Sequence, residues 1–125
     1  MPLVITNTTK DKLPRLPFSK ITSAVLGEKY DCSLVIINSK KSCELNRKHR
    51  GKNTATNILS FPLDRESGEI FIDLKQARAD APLFDRPYKN FIGFLFIHGL
   101  CHLKGFVHSS KMEIQEKKIC FKFKL

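Results

Sequence analysis

The chain has 125 residues, 42% of them hydrophobic with ten phenylalanines, enough to bury a core without disulfides, and we read residues 1–125 as one domain. A net charge of +10 and a pI near 9.7 favour a polyanionic partner over an acidic or neutral one. Cys32, Cys43, Cys101 and Cys120 form no CxxC pair, and no charged-then-apolar leader opens the chain. The expectation is therefore a cytoplasmic protein with reduced thiols.

Leu3 to Asn7 is rich in β-branched residues and runs into Thr8-Thr9-Lys10, a strand and a turn. Pro14 and Pro17 punctuate the loop that follows. Phe18, Ile21, Val25 and Leu26 recur at helical spacing up to Gly27, and Ser33 to Asn38 is a short continuous apolar run, the pattern of a strand buried on both faces. Ser39 to Arg50 predicts a short basic helix capped by Ser39 or Ser42, with Leu45 facing inward and Gly51 to Thr54 as its exit loop. Thr56 to Phe61 reads as a strand stopped by Pro62, joined through Leu63–Gly68 to a second strand, Glu69 to Asp73.

Leu74 to Ala81 should be helical and broken at Pro82, and Pro87 opens a longer helix. Apolar residues cover nearly every side of Phe91 to Ile97, so that helix should be buried all round. The apolar run from Phe91 to Leu103 is too short to span a bilayer, and no membrane partner is expected. Ser110-Lys111-Met112-Glu113 has the capping-box pattern, starting a last helix that ends near Phe123. The fold class this gives is α+β, a small mixed four-stranded sheet covered by helices.

The chemistry concentrates in His98-Gly99-Leu100-Cys101-His102-Leu103-Lys104-Gly105-Phe106-Val107-His108. One helical turn separates His98 from His102, so their rings point the same way, and Gly105 can take the left-handed conformation that turns the chain back and brings His108 to the same point. A single histidine in an apolar helix is ordinarily a core residue. Three of the chain's four within eleven residues are read here as metal ligands. Three neutral imidazoles leave a fourth position open, as in catalytic rather than structural zinc sites, so one Zn²⁺ per chain is expected. Cys101 is read as a small buried hydrophobe. The spacing matches that of metzincin proteases, but Gly99 occupies the place of their glutamate base, which argues against a peptidase.

This stretch resembles the signature H-G-x-x-H-L-x-G-[YF]-x-H of the YbeY family of bacterial metal-dependent endoribonucleases, also called rRNA maturation factors. Leu45 to Pro62 is similar to that family's second signature, L-N-x-x-[YH]-R-x-x-x-x-[PA]-T-[DN]-V-L-S-F-P; Gly68 to Ile72 resembles its G-[DE]-I strand, and Met112 to Glu116 its closing helix. The resemblance implies a zinc-hydrolase-like single domain and a single-strand-specific endoribonuclease. It further implies a role in small-subunit rRNA maturation and ribosome quality control, with ribosomal RNA and the small subunit as partners. It also implies that Arg50 is catalytic, placed to neutralise charge on the phosphate. Relative to the family the N-terminal region is short, and Val107 stands where members carry an acid. Valine can neither orient a ligand nor accept a proton.

Basic residues cluster between Lys40 and Lys52, opposed only by Glu44, and we read Lys41, Arg47, Lys48, Arg50 and Lys52 as RNA contacts. A second lysine group follows at Lys117, Lys118, Lys122 and Lys124. Neither cluster is interleaved with the apolar face that a membrane-surface helix needs. Two nucleophiles are open to such a site, a metal-activated water and the ribose 2′-OH. The alternative reading is a ribosome-assembly RNA-binding protein with a mainly structural metal, favoured by the missing acid at Val107.

Overall fold

The computed structural model describes residues 3–125; Met1 and Pro2, on which the expected absence of a leader partly rests, lie outside them. Four strands, β1 (Leu3–Asn7), β2 (Asp31–Ile37), β3 (Ile58–Asp64) and β4 (Ser67–Asp73), form one sheet in the order β1-β2-β4-β3. β1, β2 and β4 are parallel, and β3 runs antiparallel to β4 across a two-residue turn at Arg65-Glu66. The sheet is mixed and four-stranded, as expected. Among the described residues five α-helices accompany it: α1 (Phe18–Leu26), α2 (Ser39–Arg50), α3 (Leu74–Asp80), α4 (Tyr88–Lys104) and α5 (Ser110–Lys122).

Cys32, Leu34, Ile36, Ile70 and Ile72 point to one face of the sheet and are buried beneath α1 and α4. At roughly 1.5–3 kcal/mol for each large apolar side chain removed from water, this layer, with Ile21, Phe91, Phe96 and Ile97 against it, dominates the stability. The other face is only partly covered, by α2, so Ser33 and Val35 are half-buried. The continuous apolar run of β2 therefore does not mean burial on both faces.

Several boundaries depart from the sequence reading for local reasons. Pro62 does not stop β3 but lies within it, opposite Gly68 and beside an irregularity between Pro62 and Asp64. β3 is an edge strand, and a proline there costs no interior ladder bond. The cap of α2 is Asn38, whose side-chain oxygen accepts from Lys41 N at 2.8 Å, rather than Ser39 or Ser42. Ser42 and Asn46, not Leu45, form its buried stripe. Helix α5 is capped by Ser109 rather than Ser110, so the Ser110–Glu113 capping box does not form. After α3 the chain tightens into a 3₁₀ turn, Ala81–Phe84, with Pro82 inside it.

Helix α4 is buried on all sides but one. Asn90, Phe94, His98 and His102, each four residues from the next, are half-buried and form a single accessible stripe. That stripe carries both helical histidines.

Candidate metal centre

His98, His102 and His108 converge, with one ring nitrogen from each lying within 4.8 Å of the others. Their ring centroids are 4.6 Å (His98–His102), 5.1 Å (His98–His108) and 4.8 Å (His102–His108) apart. The turn that delivers His108 is built by backbone hydrogen bonds. Gly105, at φ 107°, donates to the carbonyl of His102, and Phe106 N donates to that of Cys101, both at 3.0 Å. This pair is the Schellman closure of a helix, and its left-handed residue must be glycine if strain is to be avoided.

The outer nitrogens of the two helical rings decide what the inner ones are. His98 Nδ1 lies 2.6 Å from Glu116 Oε2, and His102 Nδ1 lies 3.1 Å from the carbonyl oxygen of Phe106. Carboxylate and carbonyl oxygens accept, so each Nδ1 carries the proton and donates it. Each neutral ring then has a bare lone pair at Nε2, and these two atoms face each other at 3.1 Å. Two acceptors at that distance repel unless a cation lies between them. Tetrahedral zinc with Zn–N of roughly 2.0–2.1 Å sets its nitrogens about 3.3 Å apart. The donor set fits a divalent metal, with carboxylate and carbonyl orienting its ligands from behind.

The environment disfavours charge on His102 and keeps the nearby thiol out of the site. Burial, then the neighbouring His98, lowers the pKa of His102 below the ordinary 6.5, against an opposing contribution from its hydrogen bond to Phe106. Burial pushes Cys101 up to about 12, with the Glu116 charge adding to it. Cys101 is fully buried and stays a thiol, the hydrophobe that the sequence suggested. Gly99 has a packing role: a Cβ there would sit 2.9 Å from Ser60 Oγ and 3.0 Å from Ile58 Cδ1. Helix α4 crosses β3 at this point, leaving no room for the glutamate of a peptidase.

A cleft of about 680 Å³ opens over the histidines, and its wall includes Arg50, His49, Phe61 and Val107. Arg50 reaches it because α2 is laced to the loop after it. Ser42 Oγ both donates to Thr56 O (2.6 Å) and accepts from Thr56 N (2.8 Å), while Asn46 Nδ2 donates to Thr54 O at 2.9 Å. Asn46 Oδ1 then accepts from Arg50 Nη1 at 3.5 Å. His49 lies with its ring 4.6 Å from that of Phe61. Lys41, Arg47, Lys48 and Lys52 are exposed and do not line this cleft; of the five basic positions singled out in the sequence, only Arg50 does. Val107 is 73% exposed. Among the described residues, no aspartate or glutamate lines this cleft.

A family model described as Endoribonuclease YbeY matches residues 5–123. The chain belongs to the YbeY endoribonuclease family. Relatives called Endoribonuclease YbeY include one from Campylobacter jejuni, 34% identical over 116 residues and covering 86% of each chain. Another, from Alkaliphilus metalliredigens, is 33% identical over 100 residues, 71% of this chain and 64% of the relative's own length. The one from Bacillus subtilis is 29% identical over 101 residues, 69% of this chain and 64% of the relative's. A solution structure of a Thermotoga maritima protein shares the YbeY-type fold with a TM-score of 0.66, at 21% identity, over 98% of this chain and 91% of that one. Among the described residues no helix is long and apolar enough to cross a membrane.

The residue that sequence reasoning missed in this YbeY site is Glu116. Its signal was present: Met112, Glu116, Ile119 and Cys120 make the buried stripe of α5, and a carboxylate within an apolar stripe needs a partner.

Proposed function

We propose that this chain is a zinc-dependent endoribonuclease that cleaves single-stranded RNA phosphodiesters, with His98, His102 and His108 holding the metal and Arg50 as a catalytic residue. The reading is carried by the two bare Nε2 atoms facing each other at 3.1 Å in the wall of a cleft that Arg50 also lines. Zinc in a three-imidazole site supplies a Lewis acid and lowers the pKa of a bound water to about 7. Glu116 and the Phe106 carbonyl hold two of the rings in the tautomer that binds metal. Arg50, free of any carboxylate in the cleft, offers a planar fork for two phosphate oxygens. The exposed Lys41, Arg47, Lys48 and Lys52, on the same helix and its exit loop, bind flanking phosphates and steer the strand in. Family membership together with the basic surface supports ribosomal RNA of the small subunit as substrate, with roles in its maturation and in ribosome quality control.

One observation favours a second reading, a ribosome-assembly RNA-binding protein whose metal mainly holds α4 and α5 together. Val107 puts an apolar side chain into the cleft, and among the described residues His49 is the only titratable group there besides Arg50 and the three histidines. Single-turnover cleavage of a labelled RNA at saturating protein separates the two. Under the enzyme reading Arg50→Ala lowers the rate on the order of 10²-fold, as loss of one charge-stabilising donor does, and Arg50→Lys rescues little. RNA binding, shared among many cations, drops only modestly in both variants. Wild-type protein that fails to cleave with its metal bound sinks the enzyme reading.

A further inference from the structure

A second cleft, about 560 Å³ in volume, adjoins the metal centre, and the proposed function assigns it no role. Asn57, Ile58, His98 and His108 line both clefts, so the second is continuous with the first across the ligands. Its size falls within the roughly 300–1,000 Å³ of small-molecule clefts. Its chemistry differs from that of the Arg50 side. Glu113 and Glu116 offset Arg86 and Lys117, so a phosphate gains little there. Its remaining lining includes two flat aromatic side chains, Phe84 and Phe94. Phe84 stacks on Phe91 at 5.0 Å through one ring face and is still 48% exposed, and the guanidinium of Arg86 lies 4.1 Å over the Phe94 ring. Phe84 and Arg86 flank Asp85, which takes the left-handed conformation (φ 52°) at the end of the 3₁₀ turn. Both side chains thereby reach the same cleft.

We propose that this cleft receives one unpaired nucleobase of the RNA, next to the cleaved phosphate, stacked on the free face of Phe84 and edged by the Arg86 guanidinium. The inference rests on the endoribonuclease reading above. A phosphate held by Arg50 on one side of the shared wall leaves a neighbouring nucleotide over the other side, and there the neutral, planar part of that nucleotide meets a cleft of balanced charge. Aromatic and guanidinium planes are general partners of unstacked bases. The pocket thus fixes the register of the strand, while Arg50 fixes the phosphate.

The test uses a short RNA that the wild-type protein cleaves, with an abasic nucleotide placed in turn at each position around the cleavage site. Single-turnover rates are followed against protein concentration. One abasic position should raise the half-saturating concentration by roughly 5- to 150-fold, the range of a single base–aromatic stack. Phe84→Ala should impose a similar loss on the intact RNA and be indifferent to that abasic position, while Phe84→Trp restores sensitivity. Arg86→Gln should weaken the same position. Phe121→Ala, which removes an aromatic ring 88% exposed and outside this cleft, should behave as wild type. The proposal is overturned if wild type is indifferent to every abasic position, or if Phe84→Ala retains the full abasic penalty; in both cases continued cleavage leaves the endoribonuclease reading standing. Wild-type protein that cleaves no RNA overturns both.

Discussion

Glu116 is the buried partner of a proposed metal ligand, and replacing it tests the centre without touching a ligand. In Glu116→Gln the amide oxygen can still accept from His98 Nδ1, so the tautomer survives and only the charge is lost. A hydrogen bond to a charged group contributes roughly 1.5–3 kcal/mol and a neutral one roughly 0.5–1.5. The difference, about 1.4 kcal/mol, corresponds to about tenfold weaker metal binding. Glu116→Ala also leaves a half-buried N–H without a partner and frees the ring to turn, so its loss should approach the upper end of the roughly 10- to 100-fold range for outer-shell partners. Competition against a chromophoric chelator measures both affinities, with circular dichroism to show that α5 remains folded. Equal affinities within twofold for wild type, Gln and Ala would refute the assignment of Glu116 as the group that orients His98. Glu113→Gln, one turn earlier and exposed, should leave metal affinity unchanged.

Gly99→Ala should destabilise the fold by roughly 1–3 kcal/mol through crowding against Ser60 and Ile58, despite its better helix propensity; Gly99→Glu should do worse, and wild-type denaturation midpoints for both would contradict the α4–β3 packing. RNA affinity should fall steeply with salt, and Lys41→Gln, Lys48→Gln and Lys52→Gln together should flatten the log–log slope by roughly 0.7 for each phosphate that is no longer neutralised. An unchanged slope would move the strand to the C-terminal lysines. Val107→Asp places a carboxylate in a cleft that has none, and should raise the single-turnover cleavage rate with little change in RNA affinity; a rate equal to or below that of wild type would show that the acid is not what limits this chain.

Much of the site was legible because its information is local. The spacing of His98, His102, Gly105 and His108 lies within about two helical turns and a reversal, where periodicity and glycine conformation govern. The mixed four-stranded sheet and its helices were legible for the same reason, since local features mark them: β-branched or apolar runs for strands, helical spacing, caps, proline and glycine for helices. What escaped depends on tertiary position. Whether Pro62 ends a strand depends on β3 being at the sheet edge, and whether β2 is buried on both faces depends on how much of the sheet α2 covers. Caps missed by one residue, at Asn38 and Ser109, reflect several capping residues in succession. Glu116 was visible as an anomaly in the α5 stripe, but its partner lies 18 residues away on another helix. The family motif marked Arg50; how Asn46 and Ser42 hold its loop became visible only with the fold.

The proposed ligands and their supports differ in how far apart they lie along the chain. His98 to His108 spans eleven residues, and Glu116 lies eight further on, whereas Arg50 comes from 48 residues upstream of the first ligand. Closing the histidine segment costs little chain entropy because the loops are short; bringing Arg50 to it requires the whole β3–β4 excursion to be in place. The three-histidine cluster is thus a local product of α4, α5 and the turn between them, whereas the cleft over it needs the whole sheet with α2 packed on it.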